Sequence, residues 1–413
     1  MMGVSSFQPV RFARLCAILA AAAIAGLSAC TPPPPPPPPK IVVPPAPVAG
    51  NPLDRDLPNY LRLPNTPPGT TPLRVGIILP FSSPTAGTRN LAQAMLKAAE
   101  LAVFDSGNRD ILLIPADEGS SPASAGAAAT TLLGQGAEII LGPLFGPSVS
   151  AVAPIARDRG IPVLAFSTER SVAGNGVYLL SFLPQNEVKR VVGYAASQGR
   201  KNFAAMVPQS PYGDLVSSVF GDAVKSAGGT VVDVEHFTPD ASMVMAPSAA
   251  IAKTNADVIM IAQGGAVLRA IAPSLAFNGF DPAKVKLLGT GLWDDAAIAR
   301  EQALDGGWFA APEPNADNAF NDKFRAVYGT TPPQLASLSY DAVSLVALLG
   351  KGEPYHRFTN AALMDPNGFA GIDGIFRFNG DGTSERGLAV LEVQQDGFHV
   401  VSPAPKTFQP RSF

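Results

Sequence analysis

Few residues in this chain of 413 could carry covalent chemistry. There are two cysteines, Cys16 and Cys30, and three histidines, His236, His356 and His399, too scattered to make a Cys/His metal site. No motif surrounds the histidines, so each reads as a surface or hydrogen-bonded core residue rather than a ligand or base. Ser82, Ser83 and Ser167 have no histidine near them in sequence, and no G-x-S-x-G elbow occurs. Neither a P-loop nor an HExxH motif is present. Asp117-Glu118 has the residue types for acid–base work, but it follows the apolar run ILLIPAD and reads as a solvated turn. GTG at 289–291 is a short glycine turn, not a dinucleotide fingerprint. These absences point away from catalysis, metals and cofactors, and toward binding.

Cys30 is a separate matter. Arg11 and Arg14 precede the apolar run LCAILAAAAIAG, a basic region followed by a short hydrophobic one, which reads as an export signal over residues 1–29. A membrane span needs about 20 apolar residues, so a transmembrane anchor is the weaker alternative. Leu27-Ser28-Ala29-Cys30 resembles the lipobox of bacterial lipoproteins. That resemblance implies cleavage before Cys30 and acyl chains on its thiol. At about 0.8 kcal/mol per buried methylene, several chains make a stable anchor. Thr31, rather than Asp, at the next position implies sorting to the outer membrane, with the protein facing the periplasm. Cys16 leaves with the signal, so the mature chain has neither a disulfide nor a free thiol.

Residues 31–72 contain seventeen prolines and little that could form a core. Such segments adopt polyproline II, and Pro32 to Pro39 alone projects about 25 Å. The whole tether, residues 30–72 with the anchor, reaches roughly 130 Å when extended. An SH3-like docking site is the rival reading.

The rest alternates. LRVGIIL, ILLIPAD, EIILG and IPVLAFS read as buried strands. Helices fall between them: one capped by Asn90 and running to Asp105, one opened by Ser121, and one over 147–159. The alternation restarts with NFAAMVP, a helix over 212–227, GTVVDVEHF, DVIMIA, a helix over 266–277, and VKLLGTG. Parallel strands with helical crossovers follow, giving an α/β chain of two lobes, each a doubly wound, mostly parallel sheet. Ligands in such folds bind outside the carboxyl ends of the strands. The composition, 46% hydrophobic with net charge −3, argues against disorder and against a nucleic-acid surface.

RVGIILPFS, GAEIILGPLFGPSVSAVAPIARDRGIPVLAFST, VPQSPYGDLVSSVFGDAVKSAGGTVV and GFAGIDGIFRFNGDGTSERGLAVLEVQQDGFHVV resemble, in order and spacing, the type I periplasmic binding proteins of the leucine/isoleucine/valine group. The resemblance implies three crossings between the lobes. Lobe one is then 73–182 plus 312–373, and lobe two is 183–311 plus 374–401, with a tail over 402–413. Amino-acid binders of this group hold the ligand carboxylate partly through a hydroxyl after the G-x-L turn, and the ammonium through a later acidic residue. Those positions fall on Pro147, with Ser148 beside it, and on Gly291, so the amino-acid clamp is missing. Asp294 and Asp295 lie close by and also suit capping of the next helix. The expected cleft residues are Ser82, Ser83, Ser148, Ser167, Thr168, Tyr212, Gln263 and Asp294, all on turns at strand ends.

The lipobox, the tether and GVYLLSFLPQNEVKRVVGYAASQG also resemble a second branch of the fold, the penicillin-binding-protein activators. That implies a non-catalytic lipoprotein that touches a peptidoglycan synthase. The alternative is the substrate-binding component of an ABC transporter for branched-chain amino acids or a related solute, with a permease as partner.

Overall fold

The computed structural model describes residues 60–64, 66 and 71–408. The expected signal, Cys30 and most of the Pro-rich tether lie outside the described residues.

The first lobe is a six-stranded sheet in the order β1-β3-β2-β4-β5-β6. Its strands are β1 (Leu61–Arg62), β2 (Leu73–Leu79), β3 (Ile111–Asp117), β4 (Ile139–Leu141), β5 (Val163–Ala165) and β6 (Val177–Leu179). All pair in parallel except β1, which lies antiparallel on β3. Side chains alternate across a strand, so each strand feeds two cores. Val75, Ile77, Leu113 and Leu141 pack on one face, while Ile78, Leu112, Ile114 and Ile140 pack on the other. The second face is covered by α2 (Pro122–Gly134) and α3 (Gly146–Arg157). The first face is covered by α1 (Ala86–Ser106), whose buried stripe is Ala92, Met95, Ala99 and Val103. Ser121 caps α2 as expected, accepting from Ser124 N–H. Helix α1 instead begins a turn before Asn90, at Thr85, with no side-chain cap. Its burial against the sheet holds it without one.

The second lobe is a seven-stranded sheet, β16-β15-β11-β10-β9-β7-β8. The helices α4 (Pro184–Ser197) and α5 (Pro211–Ser226) pack on one face of β7 (Asn202–Pro208) and β8 (Thr230–Phe237). On the other face lie α6 (Met245–Ile251), α7 (Gly265–Phe277) and the buried Trp293, against β9 (Val258–Ile261), β10 (Lys286–Gly289) and β11 (Trp308–Ala311). The short α8 (Ala296–Ala299) follows Asp295, whose carboxylate accepts from Ala297 N–H at 2.8 Å.

The chain then returns to lobe one through α9 (Asn318–Tyr328), α10 (Ala336–Leu349) and α11 (Asn360–Leu363). The antiparallel strands β12 (Phe369–Gly371), β13 (Gly374–Phe378) and β14 (Ser384–Arg386) follow. The sequence reading gives residues 374–386 to lobe two. In the structure Phe376 and Phe378 lie in the lobe-one core, and Leu179 N–H donates to Gly382 O at 2.8 Å across the end of β6. The last crossing therefore falls just after Arg386, before β15 (Ala389–Gln394) and β16 (Gly397–Ser402) join the lobe-two sheet.

Gly213 shows why the YG dipeptide opens α5. A Cβ there would sit 1.8 Å from the Pro208 carbonyl oxygen, a backbone atom that cannot move without shifting β7. Gly213→Ala is expected to lower stability by about 2–3 kcal/mol. An unchanged urea midpoint would show that the helix start can slide to make room.

Candidate functional site

The site lies where the carboxyl ends of both sheets face each other. A cavity of about 310 Å³ is lined there by Thr168, Phe182, Glu187, Tyr212, Leu292, Asp294, Gln334 and Leu388, among others. A larger hollow of about 620 Å³ runs between α1 and the 330–335 loop; it shares Gln334 and Leu335 with this cavity and has no carboxylate in its lining.

Glu187 is the central group. It sits in the first turn of α4, just after the chain enters lobe two. Only 8% of it is exposed. Its Oε2 accepts from Gly291 N–H at 2.8 Å. A Cβ on residue 291 would stand 2.8 Å from Glu187 Oε1, so the glycine leaves room for this carboxylate. Burial pushes the Glu187 carboxyl up to about 7; the Gly291 N–H opposes this and the charge of Asp294 reinforces it. Tyr212, on the first turn of α5, shares a hydrogen bond of 2.8 Å with the Thr290 hydroxyl. Burial raises the Tyr212 phenol, so it stays protonated.

Asp294 follows the 3-10 turn Gly291–Trp293. It stands at the cavity mouth, reached by solvent, and Gln334 Nε2 lies 3.4 Å from its Oδ2. Lost hydration, with the charges of Asp317, Asp373 and Asp295 nearby, pushes its carboxyl up to about 6. Solvent at the mouth screens this group, so Glu187 dominates the electrostatics of the site.

Of the eight expected cleft residues, Thr168, Tyr212 and Asp294 stand on the cavity wall. The other five make local bonds. Ser82 N–H donates to Asp117 Oδ1 at 3.1 Å, and Ser83 Oγ accepts from Thr85 N–H at 3.4 Å. Ser167 Oγ accepts from Glu169 N–H at 3.1 Å. Gln263 Nε2 donates to the Gly264 carbonyl at 3.3 Å, and its own carbonyl accepts from Trp293 Nε1 at 3.1 Å.

Ser148 is buried against Glu118, and here the structure corrects the sequence reading. Glu118 is no solvated turn residue: it is 1% exposed. Its carboxylate accepts the N–H groups of Leu144 at 3.0 Å and Phe145 at 3.1 Å, together with the Ser148 hydroxyl. Burial raises this carboxyl and those donors pull it back.

Glu187, Phe182 and Gln334 carry no mark in the sequence. A glutamate in the first turn of a helix reads as a partner for the helix dipole. Its contact with Gly291 spans 104 positions.

Residues 72–397 match the family model described as periplasmic binding protein, and the chain belongs to that family, one of binding proteins rather than catalysts. Solved structures agree in fold. A putative branched-chain amino acid ABC transporter protein from Rhodospirillum rubrum superposes with a TM-score of 0.71 at 19% identity, covering 80% of this chain and 100% of the other. A Desulfitobacterium hafniense substrate-binding protein in complex with Leu gives 0.60 at 21% identity, covering 80% and 99%. A Rhodopseudomonas palustris solute-binding protein in complex with benzoate gives 0.56 at 22%, covering 81% and 97%. An uncharacterized protein of Rickettsia prowazekii is 20% identical over 187 residues, 45% of this chain, and the match spans about half of that relative's length (49%).

Proposed function

We propose that the protein is a periplasmic solute receptor whose two lobes close on a small molecule, held at the membrane by a lipid on Cys30. The observation that carries this reading is the cavity between the strand ends, with the buried Glu187 carboxylate turned into it. The solved relatives named as solute-binding proteins of ABC transporters support a permease as partner.

A ligand at a hundred times its dissociation constant stabilises the folded state by about 2.7 kcal/mol. Thermal melts of the full chain against a panel of small solutes should therefore show at least one clear upward shift. A flat panel would count against the receptor reading. Cys30→Ala should yield unprocessed precursor or protein without lipid, and unchanged palmitate labelling would remove the anchor.

The seventeen prolines of 31–72 favour a second reading, a penicillin-binding-protein activator at the outer membrane that reaches a peptidoglycan synthase. Deleting residues 32–59, which keeps β1 and its packing on the first lobe, removes up to about 87 Å of extended spacer at about 3.1 Å per residue. On the activator reading, stimulation of the synthase falls in cells while the domain still folds. On the receptor reading, solute binding is unaffected and no synthase responds.

A further inference from the structure

A binding cleft must match the charges its ligand brings, because a buried charge without a partner is costly. Here the wall holds a carboxylate that is more than nine-tenths buried and only half satisfied. Glu187 Oε2 has the Gly291 N–H; Oε1 accepts from no donor among the described residues. Asp294 adds a second carboxylate at the mouth. No lysine, arginine or histidine lines the cavity. Two guanidinium groups touch lining residues from outside, and both are engaged: Arg386, 4.7 Å from the Phe182 ring, pairs with Asp341, and Arg190 Nε donates to the Leu388 carbonyl at 2.8 Å.

A second observation concerns the opposite charge. The amides of Leu144 and Phe145 and the Ser148 hydroxyl, at the start of α3, are the donors a ligand carboxylate would need. Glu118 already occupies all of them. That donor set is closed to a ligand anion and lies outside the cavity lining, whereas Glu187 Oε1 on the cavity wall has no donor among the described residues. Phe182, Leu292 and Leu388 supply apolar walls.

We infer that the cleft takes an organic cation without a carboxylate, a primary amine or guanidine on a compact apolar body. This rests on the receptor reading above and specifies its ligand class.

The test uses the full-length protein in neutral detergent and calorimetry at pH 8, with two carbon skeletons that each lose one charge at a time. The first set is 3-methylbutylamine, leucine and 4-methylpentanoate. The second is phenethylamine, phenylalanine and 3-phenylpropanoate. At least one amine should bind at least about tenfold more tightly than its amino acid, and the carboxylates should give no heat. Glu187→Gln retains an oxygen for the Gly291 N–H but loses the charge. It should weaken amine binding by about tenfold or more, and Asp294→Asn should do so by less. Melting curves of the unliganded variants confirm that each folds. An amino acid or carboxylate that binds as tightly as its amine, or amine binding indifferent to Glu187→Gln, overturns the inference and leaves the receptor reading intact. No heat from any of the six also overturns it. The solute panel described above then decides the receptor reading: a hit of any charge keeps it, and none removes it as well.

Discussion

Asp341→Ala should lower the stability of the folded chain by about 3–5 kcal/mol, the usual loss when one member of a buried ion pair is removed. Asp341 and Arg386 are 2% and 1% exposed at the side chain, with Nη1 and Oδ2 3.7 Å apart. Asp341 Oδ1 also accepts from Ile372 N–H at 2.8 Å. The guanidinium stacks on Phe182 and Phe376, 4.7 and 5.4 Å from the ring centroids. Without Asp341 the guanidinium stays buried. Asp373, which is held by the Ser337 hydroxyl, is then the carboxylate left to face it. Phe182 precedes the first lobe crossing and Arg386 the last, so the pair ties together two strands of the hinge. Urea denaturation gives the loss directly. The double variant Asp341→Leu with Arg386→Met should be markedly more stable than Asp341→Ala, because no unpaired charge remains. Equal midpoints for the two would mean that lost packing, not the orphaned charge, sets the penalty.

The same hinge marks how far the sequence could be read. The alternation of apolar runs and helical stripes is local, and it placed β2, β3, β7 and α5 within a residue or two, because strands buried on both faces and capped helices leave short-range signatures. The hairpin over 374–386 has those signatures too. Which lobe it joins depends on Phe376 and Phe378 meeting Tyr178 and the rest of the lobe-one core, a contact between distant segments. The cleft is harder still. Gly291 reads as the loss of an acidic residue, yet its missing side chain leaves room for Glu187 from another helix. Ser148 reads as a free hydroxyl, yet Glu118 has taken it. Asp294 and Asp295 read alike; in space Asp295 caps α8 while Asp294 faces the cavity. Each outcome turns on which side chain fills a space, and spacing along a chain does not encode that.

The unliganded protein should be more stable at pH 5 than at pH 8. Burial carries Glu187 from an ordinary 4.5 up to about 7. Between those values the folded chain keeps a proton that the unfolded chain has released, so stability falls as pH rises. The contribution is intact below 4.5 and gone above 7, and is worth about 3 kcal/mol at 1.36 kcal/mol per unit. Asp294 moves the same way from 3.8 to about 6, weakened by solvent at the mouth. Tyr212 faces Glu187 but stays protonated throughout. Asp117 and Asp381, whose carboxyls are lowered by hydrogen bonds despite partial burial, titrate below this window and oppose the trend only in stronger acid. Burial also raises the carboxyls of Asp341, Asp373, Glu118 and Glu138, so thermal midpoints of the wild type should drop by several degrees between pH 5 and 8, and Glu187→Gln should make the slope shallower without abolishing it. A wild-type midpoint that rises across this interval would mean that Glu187 is already ionised in the free protein. A bound amine cancels the effect. Its positive charge beside Oε1 draws the Glu187 carboxyl back down, so binding expels a proton near pH 6 and tightens as pH rises toward 8. The liganded protein should then show little pH slope over this interval while the free protein's midpoint falls, so the separation between the two curves widens toward pH 8.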